Sequence, residues 1–273
     1  MSDLVEEDHE WHLGMLALEA RSLDPEELDE LVQTSLEYED LSESEAAWNS
    51  GVHFRLGNHA LRLSGLSSQV RFSSITGARI IPGLLPPNDL GDSIAPRKVD
   101  FAFSLRPSDL MKTAFKHLQS AAAAKVKTYN HTDYVPTART PIAVSVETKV
   151  AGEGHESGLA QLSTWALAHF RQLSQLLSHA RNTTTQMPVL PLVLVQGASW
   201  QFSAAMQDPF GRVTVYTYGE VAQSNSRLGV CQILRLLGRL IQWSQQEYRA
   251  WFEQYALPQP LPPAVSGPAQ GQP

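Results

Sequence analysis

A strand-forming run, I-A-V-S-V-E-T-K-V from Ile142 to Val150, is followed within a few residues by a long helical pattern and then by another strand-forming run. The helix is read over about Ser157 to Ser178, where Leu159, Leu162, Leu167, Phe170, Leu173 and Leu177 supply an apolar side. The strand beyond it is Val189 to Gln196. Upstream, K-V-D-F-A-F-S-L, Lys98 to Leu105, alternates as a strand does. Two strands that each carry a polar residue amid apolar ones, then a helix, then another strand, predict a mixed α/β core around a central sheet.

Helices are expected at both ends of that core. Residues Glu6 to Leu23 place Trp11, Met15 and Leu18 on one face. Asp24-Pro25-Glu26-Glu27 then starts a second helix that runs to about Tyr38. Ser42-Glu43-Ser44-Glu45 is a further start signal, ahead of Trp48, Val52, Leu56 and Leu63. Ser64 to Pro96 reads as a loop-rich connection with a short strand around Val70 to Phe72. Pro107-Ser108-Asp109 opens a helix reaching about Lys125, and further strands are expected at Trp200 to Met206 and Val213 to Tyr218. A helix from about Ser226 to Tyr255, kinked near Gly238, completes the pattern. The organisation predicted is an acidic helical extension over 1–40, a domain over 41–256, and a disordered Pro-rich tail over 257–273.

Charge is divided along the chain. Residues 1–47 hold 16 Asp and Glu against one basic residue, Arg21, whereas the remainder holds 12 acidic and 20 basic residues, so the net -7 hides a basic body. Such a body is compatible with phosphate binding. The acidic leader either shields that surface or only solvates the outer faces of its helices. No run of about 18 apolar residues is present and the N-terminus is acidic, so a membrane span and a secretory signal are not expected, and a nuclear or cytoplasmic location is. Cys231 is the single cysteine, which rules out an intrachain disulfide or a cysteine-based zinc site, and it is expected in the core.

Side chains alternate along a strand, so Glu147 and Lys149 emerge with Ser145 on one face while Val144, Val146 and Thr148 point away. An acid and a base held together there mark either a metal site with a catalytic lysine or a simple ion pair at a strand end. The order Asp100, then Glu147-x-Lys149, then a helix bearing Gln161 resembles the PD-(D/E)XK nuclease superfamily. The stretches E-A-A-W-N-S-G-V-H, K-V-D-F-A, T-P-I-A-V-S-V-E-T-K and A-Q-L-S-T-W are similar to its nuclease-like domain widespread in filamentous fungi. The likeness runs from Leu41 to Tyr218.

That resemblance implies a restriction-endonuclease-like fold: a mixed central sheet flanked by helices, with helical additions at the N- and C-terminal ends. It also implies that Asp100 and Glu147 hold Mg²⁺ or Mn²⁺, with the carbonyl of Thr148 as a further ligand. Lys149 would serve the attacking water or the charge developing on phosphorus. Glu45 matches the family's carboxylate on the helix before the sheet, and its alternative role is a capping box with Ser42. Asn49 and His53 follow Glu45 at i+4 and i+8 as a polar stripe. Gln161 matches a polar residue that contacts the site, and is otherwise a surface glutamine. Tyr134 either stacks on a base or braces its loop. His117, His169 and His179 lack metal-ligand spacing, so histidine-bound zinc is not expected.

The implied activity is metal-dependent phosphodiester hydrolysis on nucleic acid, DNA rather than RNA, with room for a protein partner or an oligomer. Val99 stands where many members have proline, and no separate DNA-targeting module accompanies the core. Two alternatives stay open: an inactive or repurposed fold that binds a partner, and small-molecule chemistry, since fold does not fix function.

Overall fold

The computed structural model describes residues 23–85, 98–120, 126–152 and 154–258. Helix α1, Pro25–Asp40, begins as its sequence demands. Asp24 caps it, accepting from the Glu26 amide at 2.8 Å, and Pro25 fills the first position, where no amide is needed. Helix α2 is continuous but changes pitch: Glu45–Trp48 is α-helical, Asn49–His53 is a π turn, and Phe54–Ser64 is α-helical again. Gly65 ends it in the left-handed conformation at φ 70°.

Strands β1 (Val70–Ser74), β2 (Phe101–Leu105), β3 (Ile142–Lys149), β4 (Leu190–Gln196), β5 (Ser199–Gln207) and β6 (Val213–Gln223) form a six-stranded sheet in chain order. Helix α3, Asp109–Ser120, lies between β2 and β3 in the chain. Neighbouring strands run antiparallel except β3 and β4, which are parallel. A parallel pair needs a crossover, and α4, His155–Ala180, supplies it. Helix α5, Arg227–Trp243, follows β6 and continues through a π turn at Ser244–Tyr248, the short piece Arg249–Trp251 and a second π turn at Phe252–Ala256.

Much of β6 is exposed, but over the central strands each face of the sheet is covered. On one, Trp165 of α4 donates its indole N–H to the Ser145 hydroxyl at 3.0 Å. On the other, Phe54 of α2 stacks on Phe72 and Phe101, and Gly57 lies flat against the Phe72 ring, where a Cβ would have no room. Strand β3 is buried over all but its last residue, which explains its near-continuous apolar sequence. Helix α1 buries Leu31 and Val32 in the same core and binds the body through surface ion pairs, Glu30 with Arg55 at 2.9 Å and Glu27 with Arg62 at 2.6 Å.

The mixed α/β sheet is as expected, with local differences. Cys231 is exposed rather than in the core. The apolar stripe of α5 runs through Val230, Ile233, Leu234, Leu237 and Ile241, and the residue after Val230 falls off it. Gly238 sits within regular helix, and the chain departs from α geometry at Ser244–Tyr248 instead. The Ser42 capping box is absent: Ser44 is the N-cap of α2, accepting from the Ala47 amide at 3.3 Å, while Ser42 has φ 52°. The expected helix over Glu6 to Leu23 (but for Leu23), the end of the helix expected to reach Lys125, and the Pro-rich tail beyond Pro258 lie outside the described residues.

Candidate active site

The C-terminal end of β3 gathers most of the residues singled out above. Glu147 and Ser145 sit two apart on a strand, about 6.6 Å at 3.3 Å per residue. Gln161 and Trp165 sit four apart on a helix, about 6 Å at 1.5 Å per residue. The near match lets α4 read the strand in register. Trp165 meets Ser145, and one turn earlier the Gln161 amide donates to Glu147 Oε1 at 2.7 Å. The same amide reaches the carbonyl of Lys98 at 3.2 Å, tying α4 to the entrance of β2.

Asp100 stands just before β2. Its amide donates to the Val146 carbonyl at 3.1 Å, and its own carbonyl accepts from Ile75 at 2.8 Å, so its backbone is held from both sides. Extending the register of Phe101 opposite Val146 by one step puts Asp100 opposite Glu147. Asp100 Oδ2 accepts from the Thr148 amide at 2.9 Å and the Thr148 hydroxyl at 2.7 Å. The Lys149 ammonium folds back to pair with Glu147 Oε1 and donates to the Thr148 carbonyl at 3.0 Å. One cation therefore already rests between two of the oxygens expected to hold a metal ion.

The electrostatics follow from this crowding. Glu147 is 2% exposed, and burial first, then the Asp100 charge, push its carboxyl up to about 8 against the pull of Lys149. Glu45, on the first turn of α2, is likewise raised, by burial and then by the Asp100 charge, and is lowered by Lys149. Freed from capping, Glu45 thus sits in the electrostatic neighbourhood of Asp100, Glu147 and Lys149.

Several supporting residues carried no clear signal in the sequence. The Lys149 stem runs over the start of α4, where Gly154 (φ 73°) would place a Cβ 2.8 Å from Lys149 Cδ. Gly197, at φ 54° in the β4–β5 turn, donates its amide to the Lys149 carbonyl at 3.1 Å. Gln196 accepts from Gln201 Nε2 at 3.1 Å and lies 3.1 Å from His155 Nδ1. The stripe read from Glu45 to His53 divides. Asn49 and His53 contact each other, with Asn49 Oδ1 2.9 Å from His53 Nδ1, but His53 is fully buried and faces the Gly197 carbonyl, its Nε2 2.8 Å away. Tyr134 lies partly buried against the core and over Gly77, a bracing position.

The donor set suits a hard divalent ion: carboxylates from Asp100 and Glu147, the Thr148 carbonyl, and Glu45 close enough to feel their charge. Among the described residues no cluster of three or more His, Cys, Asp and Glu is poised to hold a metal. Mg²⁺ commonly uses only one or two carboxylates and completes its shell with waters and substrate phosphate, so the residues fit that kind of site. A cavity of about 770 Å³ opens elsewhere, between the end of α4 and the β5–β6 hairpin, lined by Ser174, Met187 and Phe210 among others, none of them a site residue. Among the described residues no helix is long and apolar enough to cross a membrane.

A family model described as the PD-(D/E)XK nuclease superfamily matches residues 3–249. No curated protein and no solved structure gives a match.

Proposed function

From the premise that the chain belongs to the PD-(D/E)XK nuclease superfamily, we propose that it is a metal-dependent phosphodiester hydrolase acting on nucleic acid, with DNA as the first substrate to test. The observation that carries this reading is the placement of Lys149, whose ammonium contacts both Glu147 Oε1 and the Thr148 carbonyl beside Asp100. Asp100 and Glu147 would hold Mg²⁺ or Mn²⁺, with the Thr148 carbonyl as a further ligand. The ion, when bound, would polarise the scissile phosphate and acidify a bound water.

The chain's own groups do the rest. Glu147 would have to release its proton to solvent for its carboxylate to hold the ion. Gln161 keeps the Glu147 carboxylate aimed, since its amide is anchored at the same time on Lys98. Lys149, in reach of Glu147 and the Thr148 carbonyl, would turn its ammonium to the attacking water or to the phosphoryl oxygens and offset developing negative charge there. Glu45 would contribute a further carboxylate at the rim, within electrostatic reach of Asp100, Lys149 and Glu147. Thr148 holds Asp100 by two hydrogen bonds, so that carboxylate moves little. An enzyme of this kind would work in the nucleus or cytoplasm, where its substrate is.

Incubating single- and double-stranded DNA and RNA with the protein in Mg²⁺ and in Mn²⁺ tests the reading directly. Cleavage that vanishes in Glu147→Ala and Lys149→Ala is the expected result; no cleavage of any substrate by the wild type removes it. A second reading, a retired fold that binds a partner, is favoured by how completely the site satisfies itself, with Lys149 on Glu147 and Thr148 on Asp100. Calorimetry separates the two, because a retired scaffold takes up no Mn²⁺ that depends on Glu147.

A further inference from the structure

The buried face of α2 contains an imidazole that touches no expected ligand yet connects two sides of the site. His53 lies at the end of the π turn of α2, stacked on Trp48 (ring centroids 5.7 Å apart) and edge-on to Trp200 (5.7 Å). Burial drives it down to about 4, so it is neutral at physiological pH. The Gly197 carbonyl can only accept, so the proton of that neutral ring is on Nε2, and Nδ1 offers a lone pair to the Asn49 amide, whose N and O exchange by a flip. The Gly197 amide in turn donates to the Lys149 carbonyl at 3.1 Å. A continuous chain therefore links α2, the helix that begins with Glu45, to the β4–β5 turn and on to the last residue of β3.

We propose that His53 is a positioning residue for the metal site: it locks the Glu45 helix to the Gly197 turn and so fixes the spacing between Glu45 and the Glu147–Lys149 end of β3. This rests on the reading of that site as a metal centre. Three features of the chain serve the same contact. The π turn widens the helix where His53 must reach inward. Gly197 adopts a φ that other residues resist, and a Cβ there would come 2.8 Å from that of Ala151. Gly51, within the π turn, lets Tyr38 of α1 close over the helix, since a Cβ would come 2.5 Å from the Tyr38 hydroxyl.

The test is Mn²⁺ titration by isothermal calorimetry, with a thermal melt of each variant. His53→Leu keeps bulk but cannot donate, and should weaken Mn²⁺ binding by about tenfold or more, the usual effect of losing a residue that orients metal ligands. His53→Gln restores a donor toward Gly197 and should recover most of that affinity. In a Glu45→Gln background the His53→Leu effect should shrink, since the two act through one spacing. A role in stability alone would lower the melting temperature and leave Mn²⁺ affinity and the coupling untouched. Where His53→Leu does not fold, Asn49→Ala, at a half-buried position, carries the test with a loss at the lower end of that range, about tenfold. The proposal is overturned when folded His53→Leu, or Asn49→Ala in its stead, binds Mn²⁺ as the wild type does, or when glutamine rescues no better than leucine. A wild type whose Mn²⁺ binding is absent or indifferent to Glu147→Ala overturns the metal-site reading and this inference with it.

Discussion

The carboxylates of α1 and those at the end of β3 differ in what stands beside them. On α1, Glu30 meets a two-pronged Arg55 in water, with hydrogen bonds of 2.9 and 3.1 Å, and this partner holds its carboxyl below the usual range. At β3, Glu147 shares one lysine with a backbone carbonyl, is shut away from water, and faces the charge of Asp100, so its carboxyl is raised. The same side chain is thus comfortable in one region and overcrowded in the other. What the crowded region lacks is positive charge, which the divalent ion proposed above would supply.

The comparison breaks most visibly at Glu147. Glu147→Ala should eliminate Mg²⁺- and Mn²⁺-dependent cleavage in a nuclease assay and remove Mn²⁺ uptake in calorimetry, whereas Glu30→Ala should leave both intact. Lys149→Met should reduce cleavage by about two orders of magnitude or more while Mn²⁺ binds at least as tightly, because an internal competitor for Glu147 is gone.

A smaller effect is expected from pH. Below the Glu147 value of about 8, each bound ion must expel a proton, so Mn²⁺ affinity should climb by up to about tenfold per pH unit and then level off. Titrations in buffers of unlike ionisation heat read that proton; an affinity flat between about pH 6 and about pH 8 would contradict the raised carboxyl.

Stability gives a third contrast. Because folding raises the Glu147 carboxyl from 4.5 to about 8, the unfolded chain binds fewer protons between those limits, and the stability this group contributes is full below 4.5 and lost as pH rises towards 8. Glu147→Gln should therefore gain on the wild type, in metal-free melts, as pH rises through that window. The sign is opposite at Glu30, whose contribution is present at neutral pH and lost on acidification. Glu30→Gln should give the least effect of all, a small change in melting temperature that salt of about 1 M erases.

Much of this arrangement could be read from the chain. Strand β3 and helix α4 were legible because their apolar patterns are long, and Glu147 and Lys149 because alternation on a strand assigns faces without any knowledge of neighbours; Gln161, a surface glutamine by helix pattern alone, was singled out only through the family resemblance. Asp100 needed the strand pairing, which only the tertiary structure supplies. Glu45 was ambiguous, since the same side chain could complete a capping box with Ser42; the cap at Ser44 removes that alternative. His53 and Gly197 were illegible as a pair because 144 residues separate them. The misplacement of Cys231 has a plainer cause: on an amphipathic helix one residue's shift moves a side chain by about 100°, from core to solvent.

The single parallel pair in the sheet also bears on how the chain assembles the end of β3. The antiparallel pairs β4–β5 and β5–β6 close over short turns, but β3 and β4 can join only after the whole of α4 has been made and laid across the sheet. Closure over so long a stretch is slow compared with forming a hairpin. As the polypeptide leaves the ribosome, Asp100, Glu147 and Lys149 emerge first and Gly197 last, so the carboxylates exist for a time without the turn that secures them. Assembly of this region therefore waits for the β4–β5 turn, and a chain made only as far as α4 carries Glu147 and Lys149 without the contact that secures the end of β3.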